Sequence, residues 1–323
     1  MKQIPLNSYF PNMSPIFLGC MGLGGEWGKS PFESKHVKQA HDVIDSALAC
    51  GINSFDHADI YTMGKAEQVF GEVLKARPEL RENILIQSKC GIVFEDEQGP
   101  KRFDFSKQYL LSSVDGILNR LNTDYIDILL LHRPDPLMDA HEVAEAFSIL
   151  KNSGKVKHFG VSNQNSHQMK LLQHALEVPL VANQIELNLT HLDFLEDAVL
   201  ANNPQAKDLS FATGTMEYCQ LNNVQVQAWG SLCQGILTGK SLLNQPVHIQ
   251  QTAALVNKLA ADYQTSPEAI LLAFLMRHPA KIQPIIGTTN SMRIKGCAQA
   301  SQIELSREHW YSLFVTARGC ELP

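Results

Sequence analysis

Four polar side chains have the types and spacing needed to protonate a carbonyl oxygen. Asp56, Lys89 and His132 each follow a short apolar run directly, and Tyr61 lies shortly after Asp56. A lysine ammonium beside a phenol lowers the pKa of the phenol, because a nearby positive charge favours phenolate. Asp56 would keep Lys89 charged and fixed, so that Tyr61 becomes a general acid whose pKa has moved toward the operating pH. His132 could donate a hydrogen bond to a substrate oxygen or assist the proton transfer.

These four side chains suit the reduction of a carbonyl group. A carbonyl that receives a proton on its oxygen needs a nucleophile at its carbon, and a hydride donor is the natural partner. Each residue alone has a more ordinary explanation, since a lysine at a strand end is usually a surface residue and a histidine after an apolar run usually caps the local backbone. The set carries more weight than any single member, because the four chemistries complement one another.

Eight short apolar runs alternate with longer stretches of helical period. Several runs are apolar throughout, as expected for parallel strands that are buried on both faces. The runs span 15–19, 52–55, 84–88, 126–131, 156–161, 180–187, 224–229 and 282–286. Between them, 39–50 and 106–121 place apolar residues on one helix face, whereas 266–277 is apolar nearly all round and predicts a well-buried helix. Ser106 and Ser266 are of the residue type that caps a helix start.

Eight strands with intervening helices fit either a doubly wound sheet or a barrel. A dinucleotide-binding sheet needs G-x-G-x-x-G between its first strand and helix, but the glycines after the first run stand at 19, 22, 24, 25 and 28 and do not give that spacing. We interpret this stretch as a flexible loop and predict an α/β fold of the (β/α)8 TIM barrel type, formed by residues 1–323 as a single domain. The active site of such a barrel lies at the C-terminal ends of its strands.

The composition is that of an ordinary globular protein and argues against several function classes. Of 323 residues, 44% are hydrophobic and 19% charged, and 27 Lys and Arg against 33 Asp and Glu give a net charge of −6. No nucleic-acid partner is expected, because such proteins usually carry a basic face. The seven cysteines form no C-x-x-C motif, which fits reduced thiols in a cytosol. No run approaches the ~18 apolar residues of a membrane span and the N-terminus lacks an apolar leader, so we expect a cytoplasmic protein without a membrane partner.

Seven segments carry a resemblance to a known family. They are GINSFDHADIY (51–61), ILIQSKCG (84–91), DYIDILLLHRPDP (124–136), SGKVKHFGVSN (153–163), NQIELN (183–188), WGSLCQGILTGK (229–240) and PIIGTTNSMRI (284–294). In this order they resemble the aldo-keto reductase superfamily, and within it the bacterial YdhF-type oxidoreductases. The resemblance implies a (β/α)8 barrel that reduces the carbonyl of a small aldehyde or ketone with NADPH, with NADH as a possible second coenzyme.

The resemblance also implies roles for individual residues. Tyr61 resembles the proton donor, Lys89 and Asp56 the pair that sets its pKa, and His132 the orienting or relay residue. Other residues match the family's coenzyme contacts along the molecule from nicotinamide to adenosine. They are Gly19, Cys20 and Met21 beneath the coenzyme; Ser162, Asn163 and Gln184 at the carboxamide; Trp229 on the nicotinamide ring; Gly230, Ser231, Leu232, Gly235 and Lys240 over the pyrophosphate; and Gly287, Thr289 and Arg293 around the 2′-phosphate.

The sequence departs from the family pattern at the adenosine end. Members that prefer NADPH often place a Lys or Arg beside the Ser or Thr of the 2′-phosphate segment, whereas here Arg293 is the main cation. The Glu-Asn or Gln-Asn pair that many members place at the adenine is Gly296-Cys297. The adenosine end therefore offers fewer of the contacts by which family members prefer NADPH over NADH. For the substrate pocket, we predict walls from the loop 92–105 and from Met21, Trp27, His57, Cys90 and Phe94.

Two rival functions remain open from the sequence. The segment DHAD (56–59) with His132 could hold a metal for hydrolysis, but strand 1 ends in neither His nor carboxylate and strand 8 ends in Gly-Thr-Thr, so we expect no metal. Alternatively, the barrel could be an NADP(H)-loaded regulatory or binding subunit with little turnover. The physiological substrate, the direction of the reaction and the oligomeric state cannot be read from the sequence.

Overall fold

The structure, a computed structural model, describes residues 3–323 and contains a closed barrel of eight parallel strands in the order β1-β10-β9-β8-β7-β6-β3-β2. Each of the eight apolar runs contributes one strand, which confirms the predicted (β/α)8 barrel. The barrel strands are β1 Phe17–Gly19, β2 Ser54–Asp56, β3 Leu85–Cys90, β6 Ile126–Leu131, β7 Val156–Ser162, β8 Leu180–Glu186, β9 Gln225–Trp229 and β10 Gln283–Ile286. The other two strands, β4 Ile92–Val93 and β5 Arg102–Phe103, pair as an antiparallel hairpin after β3.

Helices surround the barrel. They are α1 Ser34–Ala49, α2 Lys65–Ala76, α3 Lys107–Leu121, α4 Ala140–Asn152, α5 Ser166–Ala175, α6 Asp193–Val199, α7 Thr215–Leu221, α8 Val247–Asp262, α9 Pro267–Met276, α10 Ser291–Ala298 and α11 Arg307–Arg318. The hydroxyls of Ser106 and Ser266 accept hydrogen bonds from the first turns of α3 and α9, as predicted. α1 begins five residues before the predicted 39, because the backbone N–H of Glu33 is satisfied by the His36 ring at 2.9 Å.

Apolar side chains fill two separate layers. The larger lies between the barrel and the helices, where for example Phe147 of α4 stacks on Phe159 of β7 with ring centroids 4.0 Å apart. The smaller lies inside the barrel at the N-terminal ends of the strands, where Leu6 and Met13 cover Phe17 and other inward-facing residues. The segment before β1 therefore plugs one end of the barrel, and the opposite end is left for a site.

The C-terminal ends of the strands carry the irregular segments. Short 3₁₀ turns follow β1, β2 and β9 at Cys20–Gly22, Tyr61–Gly64 and Cys233–Thr238, and the β4–β5 hairpin occupies most of the predicted loop 92–105. We call this end the barrel mouth. Within residues 3–323, no helix is both long and apolar enough to cross a membrane.

Candidate active site

A buried charge pair lies at the barrel mouth. Asp56 ends β2 and Lys89 stands near the end of the neighbouring β3, and both are at most 2% exposed. The Lys89 ammonium donates to both carboxylate oxygens of Asp56 at 2.7 Å and to the backbone oxygen of His57 at 2.8 Å. Burial acts to lower the pKa of Lys89, but the charge of Asp56 and the hydrogen bonds to Asp56 and Tyr61 outweigh it and raise that pKa above its usual value. Lys89 is therefore a fixed ammonium at neutral pH.

Tyr61 stands beside this ammonium. Its ring centroid is 4.9 Å from the Lys89 nitrogen. It begins a tight turn in which Thr62 and Met63 adopt left-handed φ values of 48° and 61°. The Thr62 hydroxyl donates to the backbone oxygen of Leu23 at 3.0 Å, which ties this turn to the loop after β1. The sequence gives only the order of these residues along the chain. In the fold, the turn with its two left-handed residues positions the phenol at the barrel mouth.

The predicted net lowering of the Tyr61 pKa is wrong. Burial raises the pKa of Tyr61 to about 12, although Lys89 acts in the opposite direction. The phenol is thus fully protonated at neutral pH, as a proton donor must be. An alkoxide is a much stronger base than a phenolate, so this phenol remains able to protonate an oxygen that gains charge during reduction.

His132 completes the group at the end of β6. Its backbone N–H donates to the Cys90 oxygen at 2.9 Å, and its ring centroid is 6.1 Å from that of Tyr61. Burial, and next the charge of Lys89, lowers the pKa of His132 well below its usual value. A neutral imidazole carries one N–H donor, and the buried Nδ1 has no protein partner. Because this imidazole is neutral, a hydrogen bond from His132 to a ligand oxygen would add no charge to the site.

A chain of buried glutamines supports Asp56 from inside the barrel, and we did not predict it. The Gln87 and Gln184 side chains both donate to Asp56 Oδ1, at 2.7 and 3.0 Å. Gln227 accepts from both of these amides and donates on to Gln283 at 3.2 Å. All four glutamines are at most 2% exposed. Glutamine inside otherwise apolar strand runs, two residues from a strand-end site residue, was the available signal.

The residues predicted to contact the nicotinamide, its carboxamide and its ring, come together near the ends of β7, β8 and β9. Ser162 accepts from the Asn163 amide at 2.7 Å and donates to the Gln184 backbone oxygen at 2.9 Å. The Trp229 indole N–H donates to Asn163 Oδ1 at 3.2 Å. Ser162 and Gln184 are buried, whereas Asn163 and Trp229 are half-buried at the mouth. The structure thus brings the four residues together, and the coenzyme contact itself stays a prediction.

Arg133 is a further residue that the sequence reasoning missed. Its guanidinium carbon lies 5.5 Å from the Trp229 ring centroid, a cation–π arrangement. It directly follows His132 in LLLHRPDP, so its position after a strand end was the signal. A positive charge at the rim of the mouth attracts an anionic ligand.

The residues predicted over the pyrophosphate form one irregular segment after β9. Gly230 and Gly235 have φ of +70° and +81°, values that favour glycine. The buried Ser231 hydroxyl donates into β10 at 2.7 Å and anchors the segment, in which Leu232 is half-buried. Lys240 closes the turn through its backbone N–H to the Gly235 oxygen at 3.1 Å, and its side chain is exposed.

The other predicted coenzyme residues lie after β1 and β10, which are neighbours in the barrel. Gly19 ends β1, and Cys20 is 1% exposed, so its thiol offers no open contact surface. Gly287 and Thr289 follow β10, and Gly287 has no atom within 4 Å of the position a Cβ would occupy. Arg293 projects from α10 with a half-exposed side chain.

Two of the predicted substrate-pocket residues are misplaced. His57 and Cys90 are 0% exposed. The His57 ring packs edge-on against Phe70 of α2, and burial lowers its pKa to about 3. Alternating strand geometry explains the error, because His57 and Cys90 follow inward-facing site residues by one position and therefore point to the helix layer.

The remaining predicted pocket residues are accessible. Met21 and Trp27 are 52% and 51% exposed on the loop after β1. Phe94 lines an open cavity of ≈ 370 Å³ between the β4–β5 hairpin, the turn of Tyr61 and α3. Asp59 and Arg120 line the same cavity. Whether substrate contacts these residues stays a prediction.

Two acidic side chains, the buried Glu67 and the half-buried Asp59, lie behind the Tyr61 turn. Glu67 accepts from the Ser88 hydroxyl at 2.6 Å and from Arg120 at 2.8 Å. Burial, and next the charge of Glu67, raises the pKa of Asp59 to about 8, and its buried Oδ1 has no protein partner. Within residues 3–323, no group of three or more His, Cys, Asp or Glu is arranged to hold a metal ion.

Comparison with known proteins gives matches over nearly the whole chain. The model of the Aldo/keto reductase family matches residues 15–313. Oxidoreductase YdhF of Escherichia coli is 35% identical, with 100% of this chain and 99% of that protein covered. A 6-dehydroglucose reductase of Agrobacterium fabrum is also 35% identical, with 100% of both chains covered. The predicted resemblance to the YdhF-type proteins is confirmed.

Solved structures share the barrel. Glycerol dehydrogenase from Gluconobacter oxydans matches with a TM-score of 0.77 and 25% identity, covering 96% of this chain and 94% of that chain. An aldo/keto reductase from Klebsiella pneumoniae, solved in complex with NADP and acetate, matches with a TM-score of 0.70 and 22% identity, covering 93% and 90%.

Proposed function

Because the chain belongs to the aldo/keto reductase family, a family of oxidoreductases, we propose that it reduces an aldehyde or ketone to an alcohol with NADPH. Tyr61 is the general acid of this proposal. The observation that carries it is the buried ammonium of Lys89, held by both oxygens of Asp56 at 2.7 Å and placed 4.9 Å from the ring centroid of Tyr61.

The residues at the mouth fit a phosphate-bearing dinucleotide. Lys240 and Arg293 are exposed cations on segments that follow adjacent strands. Arg293 itself lies in α10, which begins at Ser291, and the N–H groups at a helix start favour an anion. Trp229 offers a half-buried aromatic face for the nicotinamide end. We assign Lys240 to the pyrophosphate and Arg293 to the 2′-phosphate, with NADH as the possible alternative coenzyme.

Each site residue then has one task. When bound, NADPH supplies a hydride to the carbonyl carbon. Tyr61 gives its phenolic proton to the carbonyl oxygen as negative charge develops there, and Lys89 stabilises the phenolate that remains. Neutral His132 donates a hydrogen bond to the same oxygen, which orients the carbonyl toward the acid. Asp56 keeps Lys89 in place and charged.

For the substrate, we propose a class of carbonyl compounds rather than a single compound. The names of two matched proteins, 6-dehydroglucose reductase and glycerol dehydrogenase, refer to polyhydroxylated substrates. Met21 and Trp27 are exposed on the loop after β1 and offer apolar contact surface beside the polar site residues. A screen of NADPH oxidation therefore includes keto- and aldehydo-sugars and small hydroxyketones beside simple aldehydes, ketones and quinones.

Isotope transfer tests the reaction class directly. With NADPH that carries deuterium at the transferable position, the product alcohol of any active substrate is expected to contain deuterium on its carbinol carbon. Deuterium lost to water would contradict direct transfer. Stoichiometric coenzyme binding with no turnover across the screen would instead favour the regulatory or binding subunit.

A further inference from the structure

An acidic side chain reaches the one arginine assigned to the 2′-phosphate. Arg293 Nε lies 3.8 Å from Glu268 Oε1, and the two side chains are 49% and 12% exposed. Glu268 belongs to the first turn of α9, where the helix dipole favours a carboxylate. The ion pair is loose and single-contact, so the guanidinium retains N–H groups that can bind a further anion.

Close packing of α10 on the start of α9 produces this contact. A Cβ on Gly296 would lie 2.9 Å from the Ser266 hydroxyl and 3.8 Å from Glu268 Oε2. Glycine at this position thus allows the two helix segments to approach. Burial raises the pKa of the Cys297 thiol in α10, the Glu268 charge raises that pKa further and the Arg293 charge opposes it. Both charges therefore act on the same small region.

We propose that Glu268 is a specificity-determining residue that weakens the preference for NADPH over NADH. This inference rests on the proposed binding of the 2′-phosphate by Arg293. A carboxylate at 3.8 Å offsets part of the guanidinium charge and competes with the phosphate dianion for the same N–H groups of Arg293. NADH has no 2′-phosphate, so its affinity is independent of this competition.

The central test replaces Glu268 with glutamine, which has the same size and no charge. Dissociation constants for NADPH and NADH are measured by quenching of protein fluorescence. For a partly exposed charge pair we expect NADPH to bind about 2- to 5-fold more tightly in Glu268→Gln, with NADH changed by less. Ser266 caps α9 independently of Glu268, so the variant is expected to fold.

Two controls locate the effect. Glu145→Gln removes the same charge from α4, which follows β6 on another side of the barrel. Glu145 pairs there with Lys107, so this variant should change neither the NADPH nor the NADH dissociation constant. Arg293→Ala should weaken NADPH binding roughly 10- to 100-fold and leave NADH nearly unchanged. In the Arg293→Ala background, Glu268→Gln should no longer strengthen NADPH binding, because the two changes share one interaction.

Failure of the proposed 2′-phosphate contact and failure of the role of Glu268 give different results. If Arg293→Ala weakens both coenzymes equally, the proposed 2′-phosphate contact is wrong, and the inference is overturned with it. If Arg293→Ala discriminates but Glu268→Gln changes neither constant, or changes both equally, only the role of Glu268 is overturned. A gain that persists without Arg293 would also overturn it.

Discussion

The Lys89–Asp56 pair is the residue-scale feature on which the proposed chemistry depends. Lys89→Met keeps an apolar stem of similar length and removes the ammonium. Turnover should fall by at least ~10²–10⁴-fold, because Tyr61 loses the charge that stabilises its phenolate. The free energy of unfolding should fall by roughly 3–5 kcal/mol, since a buried carboxylate loses its partner. Steady-state kinetics and denaturant titration measure the two effects.

Lys155→Met is the matched control. Lys155 pairs with Asp115 at 2.6 Å, but both side chains are exposed, and such pairs contribute only ~0–1 kcal/mol. Its turnover should match wild type. Wild-type turnover and pH profile in Lys89→Met would show instead that Lys89 only supports the strand end.

Asp59 gives a pH-dependent prediction about stability. Its pKa rises from 3.8 to about 8 on folding because of burial. Between these values the folded protein keeps a proton that the unfolded chain has lost, so this carboxyl destabilises the fold as pH rises through that window. Each pH unit in the window costs up to ~1.4 kcal/mol.

Asp59→Asn has no charge to bury at any pH. Relative to wild type, its free energy of unfolding should be nearly unchanged near the lower end of that window and higher near its upper end. Urea titrations across the window measure the difference. A difference that stays constant with pH would contradict the prediction.

The residue types of the site could be predicted from the sequence, but their environments could not. Asp56, Lys89 and His132 were identifiable because each follows an apolar run. The sign of the Tyr61 pKa shift was missed, because burial of the phenol outweighs the nearby ammonium and burial depends on the assembled mouth. The Asp56 contacts of Gln87 and Gln184 were missed for the same reason, since the partners come from three different strands.

At the scale of elements, the hydrophobic period and the capping residues predicted where helices and strands lie. They did not predict the direction in which individual side chains point. The bounds of β6 agree fully with the run 126–131, and α3 begins directly after its predicted cap Ser106. The short turns at the mouth were not predicted, because non-glycine residues such as Thr62 and Met63 adopt left-handed φ there. The surrounding structure imposes such conformations against local preference.

The packing of α2 on α3 predicts that a glycine-to-alanine change in α2 destabilises the protein, the opposite of its usual effect in a helix. Alanine ordinarily stabilises a helix relative to glycine by ~1 kcal/mol. A Cβ on Gly71 of α2, however, would lie 2.1 Å from the Arg120 backbone oxygen, so the helices must separate. Gly71→Ala should therefore lower the free energy of unfolding by ~1–3 kcal/mol, measured by denaturant titration.

Gly116→Ala is the comparison within α3. Its new Cβ would meet only the end of the Arg120 side chain, at 3.0 Å, and no backbone atom. This variant should be neutral or slightly more stable than wild type. Equal destabilisation of both variants, or a more stable Gly71→Ala, would show that the close approach of the helices is not limiting.

At the scale of the whole molecule, one closed barrel spans the described chain, and strands from both ends of the sequence, β1 and β10, pair with each other. We therefore propose that the chain is a single domain. A coenzyme that binds only this closed form must stabilise all of it. NADPH at ~100 times its dissociation constant should raise the free energy of unfolding by ~2.7 kcal/mol.

Thermal unfolding with and without NADPH measures this linkage. The single domain predicts that the entire transition moves to higher temperature. A transition that splits, with only one part shifted, would contradict a single domain, and no shift at saturating NADPH would contradict coenzyme binding.

Removing one oxygen atom, that of the Tyr61 hydroxyl, tests the central claim most directly. Tyr61→Phe keeps the ring and removes the acid, and Tyr125→Phe makes the same change at a ring covered by Arg81 and Lys157, away from the mouth. The account predicts that kcat for carbonyl reduction falls by at least ~10²–10⁴-fold in Tyr61→Phe. The dissociation constant for NADPH should stay unchanged in both variants, and Tyr125→Phe should keep wild-type kcat. Near-normal kcat in Tyr61→Phe would contradict its assignment as the proton donor.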